Sequence, residues 1–156
     1  MALNTPATTT DYNPSELEIL RSLDADTTSF EGHEFHDRVC LTGHKTVGRR
    51  ILNLDGAVFH EEVTLSLTDW YEVSMVGARF NAGLYRRCTT MVRLYASYVR
   101  IRGVADFMDM ITTSADFEHA QLPTDVWTRK GDLVHDIVGE HCLLNFARYG
   151  SQKPAA

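Results

Sequence analysis

The sequence lacks the features that mark several classes of protein. Its 156 residues include three cysteines, and no two of these form a CxxC pair: Cys40, Cys88 and Cys142. An odd number of widely spaced cysteines predicts free thiols in a reducing compartment. The N-terminus carries no apolar run preceded by basic residues, and no stretch approaches the ~18 apolar residues of a membrane span. We therefore expect a protein of the cytoplasm, or of an assembled particle, without a membrane partner.

Motifs of catalysis and cofactor binding are missing as well. The chain contains no GxxxxGK[ST] loop, no GxGxxG loop, no GxSxG elbow and no HExxH pair. His33-Glu-Phe-His36 and His60-Glu-Glu62 place possible metal ligands close together, but exposed histidines are the favoured interpretation of both. We predict no catalytic residue, no metal site and no cofactor, and an enzyme is the less favoured class.

The composition that is present is that of a globular domain. Hydrophobic residues make up 44% of the chain and charged residues 23%, which is enough apolar material for one buried core. Residues 1–13 are small and polar, which predicts a disordered arm, and 150–156 read as a flexible tail. Residues 14–149 are expected to form a single domain without an internal repeat.

The N-terminal third combines a short helix with strand signals. Pro14 opens a segment with acidic residues near its start and a small apolar face, which is typical of a short helix. Short apolar runs then occupy about 36–67, and the Asp55-Gly56 pair between two of them is a hairpin signal. Val63, Leu65 and Leu67 alternate with polar residues, as in a half-buried strand. We predict a small antiparallel sheet or a set of β-like arms here, with a helix through His60-Glu-Glu-Val as the alternative.

Helical periodicity dominates the rest of the chain. From Thr68 to Arg102 apolar positions alternate at intervals of three and four residues, which favours one long helix, with a possible break at Asn81-Ala-Gly83. Shorter helices are predicted at about 104–111 and from Thr124 or Asp132 to Arg148. The predicted fold is therefore mainly α, a helical bundle around a central helix at about 68–102.

The strongest functional signal is a segment without acidic residues. Gly77 to Ala105 holds six arginines and no Asp or Glu, whereas the rest of the chain has nine basic and 21 acidic residues, a net charge of −12. Four of these arginines recur every seven residues, which would align them on one face of a helix: Arg79, Arg86, Arg93 and Arg100. The ordinary explanation is a solvated helix face, but such faces usually mix both signs of charge. The row would thus be neutralised by acids of this or a neighbouring subunit, or would bind a polyanion.

These observations favour a self-assembling structural subunit that binds nucleic acid, such as a coat or nucleocapsid protein. The four arginines would contact phosphates, and Tyr85 would stack on bases. The expected partners are other copies of the chain and single-stranded nucleic acid, RNA being the favoured kind. One alternative is a protein-interaction module or homo-oligomer whose Arg row meets acidic surfaces. Another is a small enzyme whose pocket uses His60 and Glu61, or His119 and His135.

Overall fold

The chain winds into a β-solenoid. The computed structural model describes residues 13–16, 19, 27–40, 50–65, 69–86 and 89–128. Each turn of the solenoid is called a coil below. The first four described coils contribute one strand to each of three sheets, the fifth contributes a strand to two of them, and every strand pair in the described residues is parallel. Because parallel strands cannot be joined by a tight hairpin, the chain completes a whole coil before it returns to the same sheet.

Each of the three sheets runs along the solenoid, and its strands come from successive coils. Sheet A consists of β1 (Thr27–Ser29), β4 (Ile51–Asn53), β7 (Asp69–Ser74), β10 (Thr90–Tyr95) and β13 (Ile111–Asp116). Sheet B consists of β2 (Glu34–Phe35), β5 (Val58–Phe59), β8 (Arg79–Phe80) and β11 (Arg100–Ile101), and a single bridge joins Arg100 to Gln121 of the next coil. Sheet C consists of β3 (Val39–Cys40), β6 (Val63–Thr64), β9 (Leu84–Tyr85), β12 (Val104–Asp106) and β14 (Asp125–Trp127).

The coils repeat at a nearly constant length. Thr27 pairs with Ile51, 24 residues later, and Thr90 pairs with Ile111, 21 residues later. The intervening coils also have 21 residues, since Ile51 pairs with Glu72. The expectation of no internal repeat is therefore wrong. The repeat is partly visible in residue identity, since Gly-x-x-Phe recurs at 32–35, 56–59 and 77–80. In the next two coils Tyr98 and His119 stand at the glycine position, and Ile101 and Leu122 stand at the phenylalanine position, so the pattern is lost there.

The core is a set of inward-facing columns. Phe35, Phe59 and Phe80 occupy the same position in three successive coils, and their rings stack with centroids 4.7 and 4.9 Å apart. A second column, on sheet C, is buried throughout: Val39, Val63, Leu84, Ala105 and Val126. Burial of these side chains stabilises the fold by ~25 cal/mol per Å² of apolar surface, so contact between consecutive coils is the main source of stability.

Two glycines at corners provide a test of this geometry. Gly103 has φ +79°, and a Cβ there would lie 2.4 Å from the backbone oxygen of Ala82 in the preceding coil. Gly77 has a similar φ of +67°, but a Cβ would meet nothing within 4 Å. We expect Gly103→Ala to lower the free energy of unfolding by about 2 kcal/mol, and Gly77→Ala by about 1 kcal/mol, because only the first adds a clash to the backbone strain. Urea denaturation of both variants measures the difference. Equal losses would contradict the close approach at Ala82.

The predicted helical bundle is wrong. The segment predicted as a central helix at about 68–102 contains strands β7 to β11, and the segment predicted as a helix at 104–111 contains β12 and the first residue of β13. Asp125–Trp127 likewise forms a strand where a helix beginning at Thr124 was one of the expectations. The part of that last helix beyond Thr128, the tail at 150–156 and the arm at 1–13, apart from Asn13, lie outside the described residues.

The predicted N-terminal β region is partly confirmed. Strands occur within the predicted runs, at β3, β4, β5 and β6, but they pair in parallel with other coils and do not form an antiparallel sheet. The Asp55-Gly56 pair does form a turn, with Gly56 at φ +66°, yet this turn is a corner between sheets A and B. A glycine with positive φ serves a solenoid corner as well as it serves a hairpin.

A short helical segment covers one edge of the solenoid. Residues 14–16 and Ile19 are helical, as the sequence predicted for the segment opened by Pro14. Oε1 of Glu16 accepts a hydrogen bond from the backbone N–H of Cys40 in β3, and Oγ of Ser15 donates to Oδ2 of Asp37. These contacts occupy part of the exposed edge of sheet C in the first coil. No helix in the described part of the chain is long and apolar enough to cross a membrane.

Candidate functional site

The arginine row is distributed over the three sides of the solenoid. A 21-residue coil with three sides places residues seven apart on successive sides, so a spacing of seven is one third of a coil here and does not mark two turns of a helix. Arg79 lies in sheet B, Arg86 directly follows the sheet C strand β9, Arg93 lies in sheet A, and Arg100 returns to sheet B. The predicted single face carrying all four arginines is therefore wrong.

Two of the four predicted arginines are direct neighbours, and a third arginine joins them. Arg79 and Arg100 pair across β8 and β11, and Arg102 lies two residues further along the same coil. All three are exposed, which makes them one basic surface on the outer face of sheet B, called the arginine patch below. Arg102 was not among the predicted site residues. The exposed–buried–exposed alternation of Arg100, Ile101 and Arg102 is the strand signal that identifies it.

The arginine patch has no acidic partner within the described residues. Neighbouring parallel strands lie ~4.8 Å apart, so Arg79 and Arg100 present like charges at close range. This arrangement contrasts with Arg93, whose Nη1 lies 3.8 Å from Oε2 of Glu72 and whose guanidinium lies 5.8 Å from the Tyr71 ring centroid. Arg93 is thus neutralised by an acid on its own sheet, whereas the guanidinium groups of the arginine patch are available to contact a ligand or solvent.

Arg86 is excluded from any surface contact. Its side chain is fully buried, and none of its three guanidinium nitrogens has a hydrogen-bond partner within the described residues. Its backbone N–H donates to the carbonyl of Asp106 in the next coil, which fixes it in the core between the positions of Leu65 and Phe107. Burial lowers the pKa of Arg86 to about 10.

The aromatic residue beside the arginine patch is not the predicted one. Tyr85 is half-buried on sheet C with its ring at the edge of Trp127, and burial is the first cause that raises its pKa, followed by the charges of Glu62 and Asp106. Tyr98 is 58% exposed at the corner that precedes Arg100, and its ring stacks on His119 with centroids 4.9 Å apart. Tyr98 and His119 both have positive φ, and they occupy the same position in two successive coils. The preceding coils have glycine at this position, at Gly56 and Gly77.

Sheet B also carries a second cluster of polar groups, in the first two coils. Oε2 of Glu34 lies 3.6 Å from Nε2 of His36, and Oε1 of Glu34 lies 3.8 Å from Nε2 of His60. The two histidine segments were predicted as separate, exposed side chains without a metal. The coil brings one histidine from each segment together, while His33 packs its ring against Phe30 and Phe35. Of the second enzyme-like pair, His119 lies 3.4 Å from Glu118, and His135 lies outside the described residues.

No family model, curated protein or solved structure matches this chain. The fold and the two clusters on sheet B are therefore the basis for assigning a function.

Proposed function

We propose that this protein is a binding module that presents the arginine patch to an acidic segment of a partner protein. The observation that carries the proposal is the group of three exposed guanidinium groups, Arg79, Arg100 and Arg102, with no acid paired to them within the described residues. A guanidinium group forms two parallel hydrogen bonds with a carboxylate, so this surface matches acidic side chains in geometry as well as in charge.

The spacing of the arginine patch favours an extended acidic segment. Residues i and i+2 of a strand lie about 6.6 Å apart and point to the same side, which is the relation between Arg100 and Arg102. An extended partner with alternate acidic residues has the same repeat. Arg79 and Arg100 lie on strands of a stacked sheet, and the backbone N–H of Arg102 donates to the carbonyl of Phe80. Their backbone positions are therefore fixed before binding, which reduces the entropy lost on association.

The aromatic pair next to the arginine patch supports a contact surface at this place. An exposed tyrosine with φ +58° carries backbone strain of about 1 kcal/mol, and His119 at φ +56° carries a similar cost. Glycine would remove this strain, as at Gly56 and Gly77 in the preceding coils. Strained residues of this kind cluster at functional sites, and here they lie beside Arg100.

An acidic protein partner fits better than nucleic acid. Only two of the four arginines expected to contact phosphates lie on one surface, so the number of phosphates neutralised, and with it the affinity, is small. The column that contains Arg79 carries Glu34 two coils earlier, and Glu61 and Glu62 are exposed beside that coil. A phosphate backbone that continued along sheet B would meet these acids. The coat-protein prediction depended on a helix that residues 69–86 and 89–102 do not form, so it loses its structural basis.

Binding of a model acidic peptide tests the proposal. A labelled peptide of eight glutamates is titrated with the protein and with the triple variant R79Q/R100Q/R102Q, and a single-stranded oligonucleotide of matched charge is titrated in parallel. We expect the protein to bind the peptide more tightly than the oligonucleotide, with affinity that falls as salt is raised. The triple variant is expected to lose at least tenfold in peptide affinity.

The matched control is the double variant R38Q/R93E, which also lowers the net charge by three but leaves the arginine patch intact. It is expected to bind the peptide nearly as well as the unmodified protein. If both variants lose the same amount of peptide affinity, the net charge of the protein explains the binding, and the proposal is overturned. If the protein binds the oligonucleotide more tightly than the peptide, and the triple variant loses that binding, the arginine patch is a nucleic-acid site and the proposal of an acidic protein partner is wrong.

A further inference from the structure

The cluster of Glu34, His36 and His60 is assembled by strand register. Glu34 and His36 are two residues apart at the sheet B side of the first coil, so both side chains point outward while Phe35 between them is buried. Phe35 pairs with Phe59, which places His60 beside His36 in the next coil. The two imidazole rings lie parallel, at an interplanar angle of 4° and a centroid distance of 4.7 Å.

The distances in this cluster are close to those of a metal centre. One ligand atom from each residue can be chosen so that all three lie within 4.8 Å of one another. Metal–ligand bonds of ~2.05 Å at tetrahedral angles require ligand atoms about 3.3 Å apart. The carboxylate–imidazole distances of 3.6 and 3.8 Å, which involve the two different oxygens of Glu34, exceed that value by a few tenths of an ångström. For one atom from each residue the bound is 4.8 Å, so side-chain rotations would have to bring the three donors closer together around an ion.

One of the three donors is also unsatisfied. Nε2 of His60 is buried from solvent and has no hydrogen-bond partner within the described residues, although 39% of the side chain is exposed. A buried polar nitrogen without a partner is unfavourable, so a ligand that bonds to it is favoured. The nitrogen lies on the side of the ring that faces the Glu34 carboxylate.

We propose that Glu34, His36 and His60 bind a divalent transition-metal ion such as Zn²⁺. Two imidazoles and one carboxylate are a donor set for Zn²⁺ and related first-row ions, whereas Ca²⁺ and Mg²⁺ prefer oxygen ligands alone. Three protein ligands leave at least one coordination position for water or for a group of another molecule. The site is separate from the arginine patch, and neither proposal depends on the other.

The metal would connect two coils. Glu34 and His36 belong to the first coil and His60 belongs to the second, so the ion would bridge residues that otherwise meet through strand pairing and core contacts. A ligand that binds the folded state stabilises it in proportion to the logarithm of its concentration above the dissociation constant. Zn²⁺ is therefore expected to raise the melting temperature of the protein.

Isothermal titration of the metal-stripped protein with ZnCl₂ tests this site. We expect the unmodified protein to bind one Zn²⁺ per chain, and His36→Ala and His60→Ala to lose this binding or to weaken its affinity at least tenfold. MgCl₂ is expected to give no binding at these residues. Glu34→Gln keeps the size of the side chain and is expected to weaken binding to a smaller extent. The rise in melting temperature on addition of Zn²⁺ should disappear in the two histidine variants.

His119→Ala is the matched control, because it removes an exposed histidine that also lies beside a glutamate. It is expected to leave Zn²⁺ binding unchanged. Circular dichroism of each variant confirms that the fold is retained. Zn²⁺ binding that persists in the double variant H36A/H60A, or no Zn²⁺ binding by the unmodified protein at millimolar concentration, would overturn the proposal.

Discussion

Replacing Arg86 with methionine is expected to raise the free energy of unfolding by about 3 kcal/mol. The guanidinium group is fully buried without a hydrogen-bond partner within the described residues, and burial of an unpaired charge costs several kcal/mol. Burial lowers its pKa from the usual range of arginine to about 10, and at 1.36 kcal/mol per pKa unit this fall corresponds to a similar value. Methionine has a comparable length and is apolar, so it suits a core position between Leu65 and Phe107.

Urea denaturation at pH 7 measures this gain. The control is Arg100→Met, the same chemical change at an exposed position, for which we expect a difference within about 0.5 kcal/mol. A loss of stability in Arg86→Met would show that the buried charge has a counter-charge in the folded protein, and the core position of Arg86 would then need a different explanation.

The pH dependence of the same variant provides an independent check. Above about pH 10, and below the ordinary pKa of arginine, the unfolded chain keeps the proton on Arg86 while the folded protein releases it, so the unfolded state binds more protons. Stability of the unmodified protein therefore gains a contribution that increases with pH in this window. The advantage of Arg86→Met should be full below pH 10 and should shrink as the pH rises above that value. Comparison of the two proteins at each pH cancels the titration of tyrosines and lysines.

Truncation of the phenylalanine column is expected to have the largest destabilising effect. Phe59 is 1% exposed and stacks between Phe35 and Phe80, so Phe59→Ala removes ring contacts with two coils at once. We expect the free energy of unfolding to fall by about 4 kcal/mol, from the lost burial and the cavity that remains. Val58→Ala, on the outward side of the same strand, should cost less than about 1 kcal/mol. A similar cost for both substitutions in urea denaturation would contradict the role of the column.

The strands at Ile51–Asn53, Val58–Phe59 and Val63–Thr64 lie in runs that the sequence marks as strand-like. Val63 and Leu65 alternate with polar residues, and the Asp55-Gly56 pair marks a turn, both of which are local signals. The partner of each strand could not be read in the same way, because a turn at Gly56 fits a hairpin and a solenoid corner equally. Parallel pairing depends on residues 21 or 24 positions away, and no local pattern records it.

The central helix was predicted because two different periods coincide. Helical residues seven apart lie on nearly the same face, and solenoid residues seven apart lie on successive sides of a 21-residue coil. Of the predicted apolar seam, Phe80, Leu84 and Met91 are buried, as a helix or a solenoid would have them, whereas Tyr98 is exposed. Two glycines inside the segment, at 77 and 83, favoured the solenoid, since both take positive φ at corners.

The candidate sites show the same division between local and distant information. Arg79 and Arg100 were identified from the acid-free segment and from their seven-residue spacing, both of which are visible without any fold. Their adjacency required knowledge of the coil length, as did the grouping of His36 with His60. Arg86 could not be recognised as a core residue, because a fully buried arginine without a partner contradicts the usual preference of the residue type.

The coil length also determines which insertions and deletions this chain can tolerate. Removal of 21 consecutive residues, such as 79–99, would move Arg100 into the place of Arg79 and leave every later residue in its own sheet. Removal of seven residues would shift every later residue by one side and would place core residues on the surface. The three additional residues between β3 and β4 indicate that the connection from sheet C to sheet A accepts changes in length. Length variants of this protein should therefore differ by whole coils or at that connection.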